Sequence, residues 1–266
     1  MDAQERLLLS RRVFGERDSS GPLRVAVITP YHAETEEQLR RCLRSVASQT
    51  YPCAHFVIGD GPQVTLPAAS DAVVHIVLPE RHADYGDTPR AIGSLSALAR
   101  GFDAITYLDA DNWYDDDHVE RLVELWRATQ ADVCVASRSL HRLDGSLLSA
   151  GGDPQDGVQL VDTSCLFFTG SACSLLPLWA LLPARLHAVG DRVLWAAVRS
   201  KGLRVARLKT PTVRYRTAFS AHYEERGEPP PEGTKSNAPV LEALRWWRAL
   251  PLQEREIVWA RLGFRF

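Results

Sequence analysis

The stretch that most constrains this chain is Ala104-Ile105-Thr106-Tyr107-Leu108-Asp109-Ala110-Asp111-Asn112. An apolar run with β-branched residues climbs to Leu108, and two carboxylates follow one residue apart. Such a run reads as a strand buried in a sheet and surfacing at its C-terminal end. In open α/β sheets, ligands bind at that end of the strands. Asp109 and Asp111 reach one ion or one water shell if the backbone turns at Ala110. Two hard oxygen ligands with an open coordination sphere suit Mg²⁺ or Mn²⁺, which keep several waters and share substrate phosphates. The stretch is therefore a candidate metal–diphosphate site. Asp-x-Asp triplets are also common as solvated turns, so the rest of the chain must carry the case.

The flanking segments alternate between two periods. Leu23 to Thr29 reads as a buried strand that stops at Pro30-Tyr31-His32, a loop. Glu36 to Gln49 has Leu39, Cys42, Leu43, Val46 and Ala47 at helical spacing, with Thr35 or Glu34 as its cap. His55 to Gly59 is a second strand, closing on Asp60-Gly61-Pro62. Strand, helix, strand makes one βαβ unit of a parallel sheet. A third strand is expected over Val73 to Leu78. A polar loop then opens a helix capped by Thr88 or Asp87, with Pro89 and Arg90 in its first turn. That helix N-terminus is a candidate anion site. After the Asp109–Asp111 stretch, Trp113 to Asp117 reads as a loop. Asp115 or Asp116 caps a helix from about Asp117 to Ala128.

Ala131 to Ser137 is a further strand. Leu140 to Val161 is glycine-rich and polar, a hairpin or two with an exposed loop of the kind that carries specificity. Asp162 to Gly170 reads as strand and turn, and Ser171 to Leu182 as a short helix broken around Pro177. A helix from Arg192 to Lys201 has Asp191 at its N-cap and stops at Gly202. A strand pair is expected at Arg204 to Leu208 and Thr212 to Tyr215. Glu228 to Asn237 has the composition of a flexible linker. The tail from Pro239 is amphipathic, rich in Trp and Arg, and reads as one or two helices folded back on the core. Residues 1–22 are a polar arm with a short helix near Gln4 to Val13. The expected division is arm 1–22, main domain 23–225, and linker with helical tail 226–266.

The 266 residues suit one large domain or two small ones, and a net charge of −2 gives no broad electrostatic case for nucleic acid. Five cysteines without a C-x-x-C pair suit buried, reduced thiols in the cytoplasm. The first residues lack the apolar core of a signal peptide, and no apolar stretch is long enough to span a bilayer. Peripheral contact with the inner membrane face through the tail is left open, but the sequence does not indicate it.

These segments, in this order, resemble the family 2 glycosyltransferases of the GT-A fold. Val25-Ala26-Val27-Ile28-Thr29-Pro30-Tyr31-His32 is similar to that family's opening strand. Leu39-Arg40-Arg41-Cys42-Leu43-Arg44-Ser45-Val46-Ala47-Ser48-Gln49-Thr50-Tyr51-Pro52 is similar to its L-x-x-C-L-x-S-V-L-x-Q-T-Y-P helix, the most specific match. Val57-Ile58-Gly59-Asp60-Gly61-Pro62 resembles V-V-D-D-G-S with Gly59 in place of the first aspartate. Pro89-Arg90-Ala91-Ile92-Gly93 resembles A-R-N-x-G, and Leu108-Asp109-Ala110-Asp111-Asn112 resembles L-D-A-D-D. Gly190-Asp191 stands where the family has E-D. The resemblance spans about residues 23 to 225.

It implies an α/β fold with a mostly parallel central sheet, and sugar transfer from a nucleotide-diphosphate sugar, commonly UDP-linked, to an acceptor hydroxyl. Pro30, Tyr31 and Glu34 would hold base and ribose, with Asp60 on the base. Arg90 would pair with the diphosphate, and Ala110 would line that site. Asp111 would ligate Mn²⁺ or Mg²⁺, with Asp109 on the metal or the ribose and His222 as third ligand. Asp191 would be the base of an inverting reaction. Trp113 would either stack on a sugar or pack in the core. The acceptor, a carbohydrate, a lipid-linked sugar or a protein, would contact the Leu140–Val161 loop and the tail. The tail could also serve a homo-oligomer or another partner. Two rivals stand beside this reading. A nucleotidyltransferase would want a glycine-rich basic loop after the first strand, where this chain has Pro30-Tyr31-His32-Ala33-Glu34. A non-catalytic nucleotide-sugar-binding or scaffold protein would not need Asp109, Asp111 and Asp191 together.

Overall fold

The computed structural model describes residues 21–62, 65–66, 73–150 and 160–266. The helix expected near Gln4 to Val13 and part of the Leu140–Val161 loop lie outside them. Among the described residues the strands form one sheet in the order β3-β2-β1-β4-β8-β6-β9-β5, with β7 paired to β6. They are β1 (Val25–Tyr31), β2 (Cys53–Gly59), β3 (Val73–Val77), β4 (Ala104–Tyr107), β5 (Trp113–Tyr114), β6 (Val133–His141), β7 (Leu147–Ser149), β8 (Leu166–Thr169) and β9 (Val205–Arg216). The β3-β2-β1-β4 half is parallel. From β8 onward the pairing is mixed, because β8 runs antiparallel to both β4 and β6.

Every residue of β1 is buried, as expected for a β-branched run with helices on both faces. β1 does not stop before Pro30 but continues to Tyr31. The pairing with β4 ends at Ile28↔Tyr107, while that with β2 runs on to Tyr31↔Gly59. The Tyr31 carbonyl accepts from the Asp60 amide on the β2 side, so Pro30 turns its missing N–H to the side β4 has left. The expected pair of strands near Arg204 and Thr212 is one strand, β9. Its register against β6 shifts between Val135 and Ser137, and again before Arg138, so a bulge with Pro211 absorbs the expected break.

Seven α-helices flank the sheet: α1 (Glu36–Ala47), α2 (Asp87–Ala99), α3 (His118–Thr129), α4 (Gly190–Ser200), α5 (Ser220–Glu224), α6 (Ala238–Ala249) and α7 (Leu252–Leu262), counted among the described residues. Thr35 caps α1 in a capping box with Gln38. The expected side-chain caps of the next two helices are not used. α2 starts after Gly86 at φ +85°, and α3 after Asp117. Instead the Gln49 carboxamide oxygen accepts the Val119 amide in the first turn of α3. The apolar segment Gly170–Ala180 is a 3₁₀ stretch containing Pro177, and it carries the fully buried Trp179 onto Tyr107.

α2 crosses the sheet at Gly93. A Cβ there would stand 2.6 Å from Ile28 Cγ2 and 3.0 Å from Ile58 Cγ1. The neighbours are β-strand side chains at the centre of the core, with little room to yield. Gly93→Ala is therefore expected to destabilise the fold by about 1–3 kcal/mol despite alanine's better helix propensity. Urea unfolding checks this; equal or greater stability would mean that the helix rides higher on the sheet.

The tail folds back as expected, with Ala243, Leu262 and Phe264 buried in the main core and Trp247 stacked on Phe266. The segment before it does not behave as its composition suggests. Glu228 is gripped by Arg142 through two bonds of 2.8 and 2.5 Å. Lys235 forms a bridge to Phe219, its amide donating to the Ala218 carbonyl at 2.5 Å. A proline- and glycine-rich stretch is thus held as a strap across the end of β9. Among the described residues, no helix is long and apolar enough to cross a membrane. All five cysteines are free thiols.

Candidate active site

Adjacent parallel strands β2, β1 and β4 end on one edge of the sheet, so Asp60, the Tyr31–Glu34 turn and Asp109–Asp111 emerge side by side. Asp60 is buried, and its two carboxylate oxygens accept the amides of His82 and Ala83 at 2.8 and 3.0 Å. It fastens the loop that leads into α2. Pro30 lies under Gly86, where a Cβ would come within 3.0 Å of the Pro30 ring. Tyr31 is buried, its hydroxyl bonded to His75 Nε2 at 2.7 Å, so its ring is part of the wall. Burial, with Glu34 nearby, pushes its phenol up to about 12. Glu34 accepts the His32 amide at 2.7 Å and shapes the turn.

Arg90 does not present its fork to open space. Its side chain is 8 % exposed, and its nitrogens reach Asp109 at 2.6 Å, the Tyr85 carbonyl at 2.8 Å and Asp87 at 3.4 Å. Where the resemblance puts Arg90 on a diphosphate, the structure shows its guanidinium engaged with Asp109, which it orients. Asp87, in the first turn of α2, also accepts from His187 Nδ1 at 2.8 Å. Burial pushes Asp87 up to about 6 against the pull of His187 and Arg90.

Asp87 also links this edge to α4. A Cβ on Gly190 would lie 3.0 Å from one Asp87 oxygen and 3.1 Å from the other. The Asp87 carboxylate thus occupies the space that a glutamate at 190 would enter. Asp191 is not an N-cap. The 3₁₀ turn Ala184–Val189 runs straight into α4 at Gly190, placing Asp191 inside the first helical turn. Its carboxylate accepts the Arg192 amide at 2.7 Å. Burial pushes Asp191 up to about 7, helped by the neighbouring charges of Asp162 and Asp87. Asp162 is itself paired with Arg138 at 2.5 Å.

Asp111 lies beyond Ala110, which is buried. Burial pushes its acid up to about 7, reinforced by Asp109 and Glu34 and opposed by Arg216 and Lys235. Such an excess of carboxylate is an environment in which a divalent cation is favoured. All the donors are hard oxygens, and Mg²⁺ and Mn²⁺ accept one or two carboxylates with the remaining positions left to water and phosphate. The residues therefore fit the expected ion. They do not form a complete cage: among the described residues no three His, Cys, Asp or Glu side chains gather into a metal-holding group. His222 is thus not brought into a three-ligand set with Asp109 and Asp111. Its Nδ1 is bonded to Thr217 Oγ1 at 2.6 Å, and its ring stands edge-on to Tyr215 and Phe219. Trp113 lies in β5 with Arg41 over its ring and His141 at its edge.

The sequence offers Asp87, with Thr88, as a cap and gives His187, Asp162, Arg216 and Lys235 no part in this edge. Arg216 is placed by the Asn112 side chain, which accepts its amide at 2.9 Å. Asn112 directly follows Asp111, and that adjacency was the available signal. Lys235 gave none, since it sits in the strap.

Fold and site together describe an α/β architecture of the GT-A type, with an acidic cluster at the parallel strand ends and a separate carboxylate on a following helix. The family model for glycosyl transferase family 2 matches residues 26–151, from β1 past the β6–β7 hairpin, and bears out the resemblance over that stretch. Among solved structures, residues 1–349 of S. aureus TarS in complex with UDP align at 14 % identity with a TM-score of 0.54, covering 77 % of this chain and 63 % of that one. The same TarS fragment without ligand aligns at 14 % identity with a TM-score of 0.55, covering 91 % and 71 %. This chain therefore spans less than two thirds of the first of these structures, and at such identity the likeness establishes the fold. No curated protein matches the chain.

Proposed function

We propose that this protein is a cytoplasmic glycosyltransferase that moves a sugar from a nucleotide-diphosphate sugar, UDP-linked by preference, to an acceptor hydroxyl. The catalytic body is 23–225, with 1–22 as an arm and 226–266 as strap and tail. One observation carries the reading. Asp109, Arg90 and Asp87 form an unbroken chain of charge contacts that ends against Gly190, one residue from Asp191. That contact supports reading the strand-end carboxylates as the diphosphate side and Asp191 as a separate base.

Breaking the bond between the anomeric carbon and phosphate leaves negative charge on the diphosphate. Asp111, with Asp109 steadied by Arg90, would hold Mn²⁺ or Mg²⁺, which neutralises that charge as it develops. Arg216 and Lys235, the cations that oppose the charge of Asp111, stand on the same side. Asp60 keeps lone pairs for a base N–H beyond its two backbone bonds, and Glu34 borders the ribose. An acceptor hydroxyl is a poor nucleophile until a carboxylate takes its proton. Asp191, carried on a separate helix, takes that role in an inverting reaction. The scaffold alternative keeps the binding and lacks the chemistry.

Calorimetry with UDP, with and without Mn²⁺, followed by a UDP-sugar turnover assay, tests the proposal. Metal-enhanced UDP binding and slow donor hydrolysis are expected. Binding with no turnover on any donor would favour the scaffold, and no nucleotide binding would remove the proposal altogether.

A further inference from the structure

A second concave surface lies beside α4. It is a cleft of about 510 Å³ between α4 and the tail, lined by Arg192, Ala196, Arg199, Ser200, Leu244, Arg265 and Phe266. Three of these are arginines and none is acidic. Arg192, Ala196, Arg199 and Ser200 fall on one helical face at i, i+4, i+7 and i+8. Arg192 and Arg199 are two turns apart, about 10 Å along the axis. Among the described residues, neither guanidinium has a carboxylate within ion-pair distance. Arg265 makes an exposed 3.6 Å pairing with Glu256 and lies over the Trp259 ring. The opposite wall is apolar and firm: Leu244 packs on the core, and Phe266 stacks on Trp247 at 4.4 Å with the rings 7° from parallel.

Arginines lining one cleft beside an apolar wall suit a planar or tetrahedral oxyanion, which they grip with paired N–H donors. The cleft also starts one residue from Asp191. A molecule with its hydroxyl at that carboxylate would extend along α4 into the arginines. We propose that this cleft is an anion-binding subsite for the acceptor, taking a phosphate or carboxylate group attached near the hydroxyl that is glycosylated. The anion site rests on the arginines alone; its assignment to the acceptor rests on the transferase reading above.

The test uses the full chain saturated with UDP and Mn²⁺, so that the donor site is filled. Inorganic phosphate, glycerol phosphate and glycerol are titrated by calorimetry. Saturable binding of phosphate and glycerol phosphate, mutually competitive, is expected, with none for glycerol. Arg192→Ala and Arg199→Ala should each weaken it about tenfold, in line with loss of a charged hydrogen bond. UDP affinity should stay unchanged in both variants, which also reports that they fold. Absence of saturable phosphate binding, or binding that persists in the double variant, would overturn the subsite. Phosphate binding that glycerol phosphate cannot displace would overturn its acceptor role and leave a site for the free ion. Failure of UDP to bind would instead strike the transferase reading, since the phosphate titration can still be read without it.

Discussion

Asp191→Asn is expected to leave UDP affinity within about twofold and to lower transfer by about a thousandfold, the middle of the range for a positioned general base. The amide keeps the shape of the carboxylate and can still accept from the Arg192 amide. It cannot take a proton. Asp191 is crowded by Asp162 and Asp87, so removing its charge relieves repulsion, and the variant should melt no lower than the parent. The loss would then be chemical. The pH profile adds a second reading. With its acid pushed up to about 7, Asp191 is protonated and inactive as a base below that pH and ionised above it. The profile of kcat/KM should therefore rise about tenfold per pH unit up to about 7 and then level. Retained turnover in Asp191→Asn would reduce the residue to a charge at a helix start.

Asp111→Ala should have the second large effect, on binding. The wild-type protein is expected to bind UDP more tightly with Mn²⁺. The variant should lose that gain, with metal affinity falling by at least about a hundredfold, the upper end of what loss of a mere supporting contact costs. Metal-free UDP affinity should hold or improve slightly, because one repelling carboxylate has gone. Thermal stability should not fall, since Asp111 is held up at about 7 by burial and its acidic neighbours. Calorimetry in Mn²⁺ and in chelator separates the two terms. An undiminished Mn²⁺ effect would place the ion elsewhere.

The parallel half of the sheet was legible because buried strands and amphipathic helices differ in period. β1, β2, β4 and α1 stand close to where their apolar spacing puts them. Misreadings arose where one tertiary contact overrides a local rule. Pro30 ends a strand only if its missing N–H faces a partner, and β4 has already departed there. Composition marked 228–237 as a loose linker, but the bidentate grip of Arg142 on Glu228 is invisible from either segment alone. The candidate carboxylates were legible because each follows a strand or opens a helix. Arg90 was legible as a cation at the site, but its contact with Asp109 was not, since that partner lies nineteen positions away. Asp87 and Lys235 needed the fold.

The contact between Gly190 and Asp87 has a wider implication. The motif that this stretch resembles writes two acids in succession there. This chain leaves the first place bare and fills the gap with a carboxylate from α2, a hundred positions earlier in the sequence. The local charge survives while its covalent owner changes. A missing letter in a motif is thus no measure of a missing function until the space around it has been inspected for a substitute arriving from elsewhere.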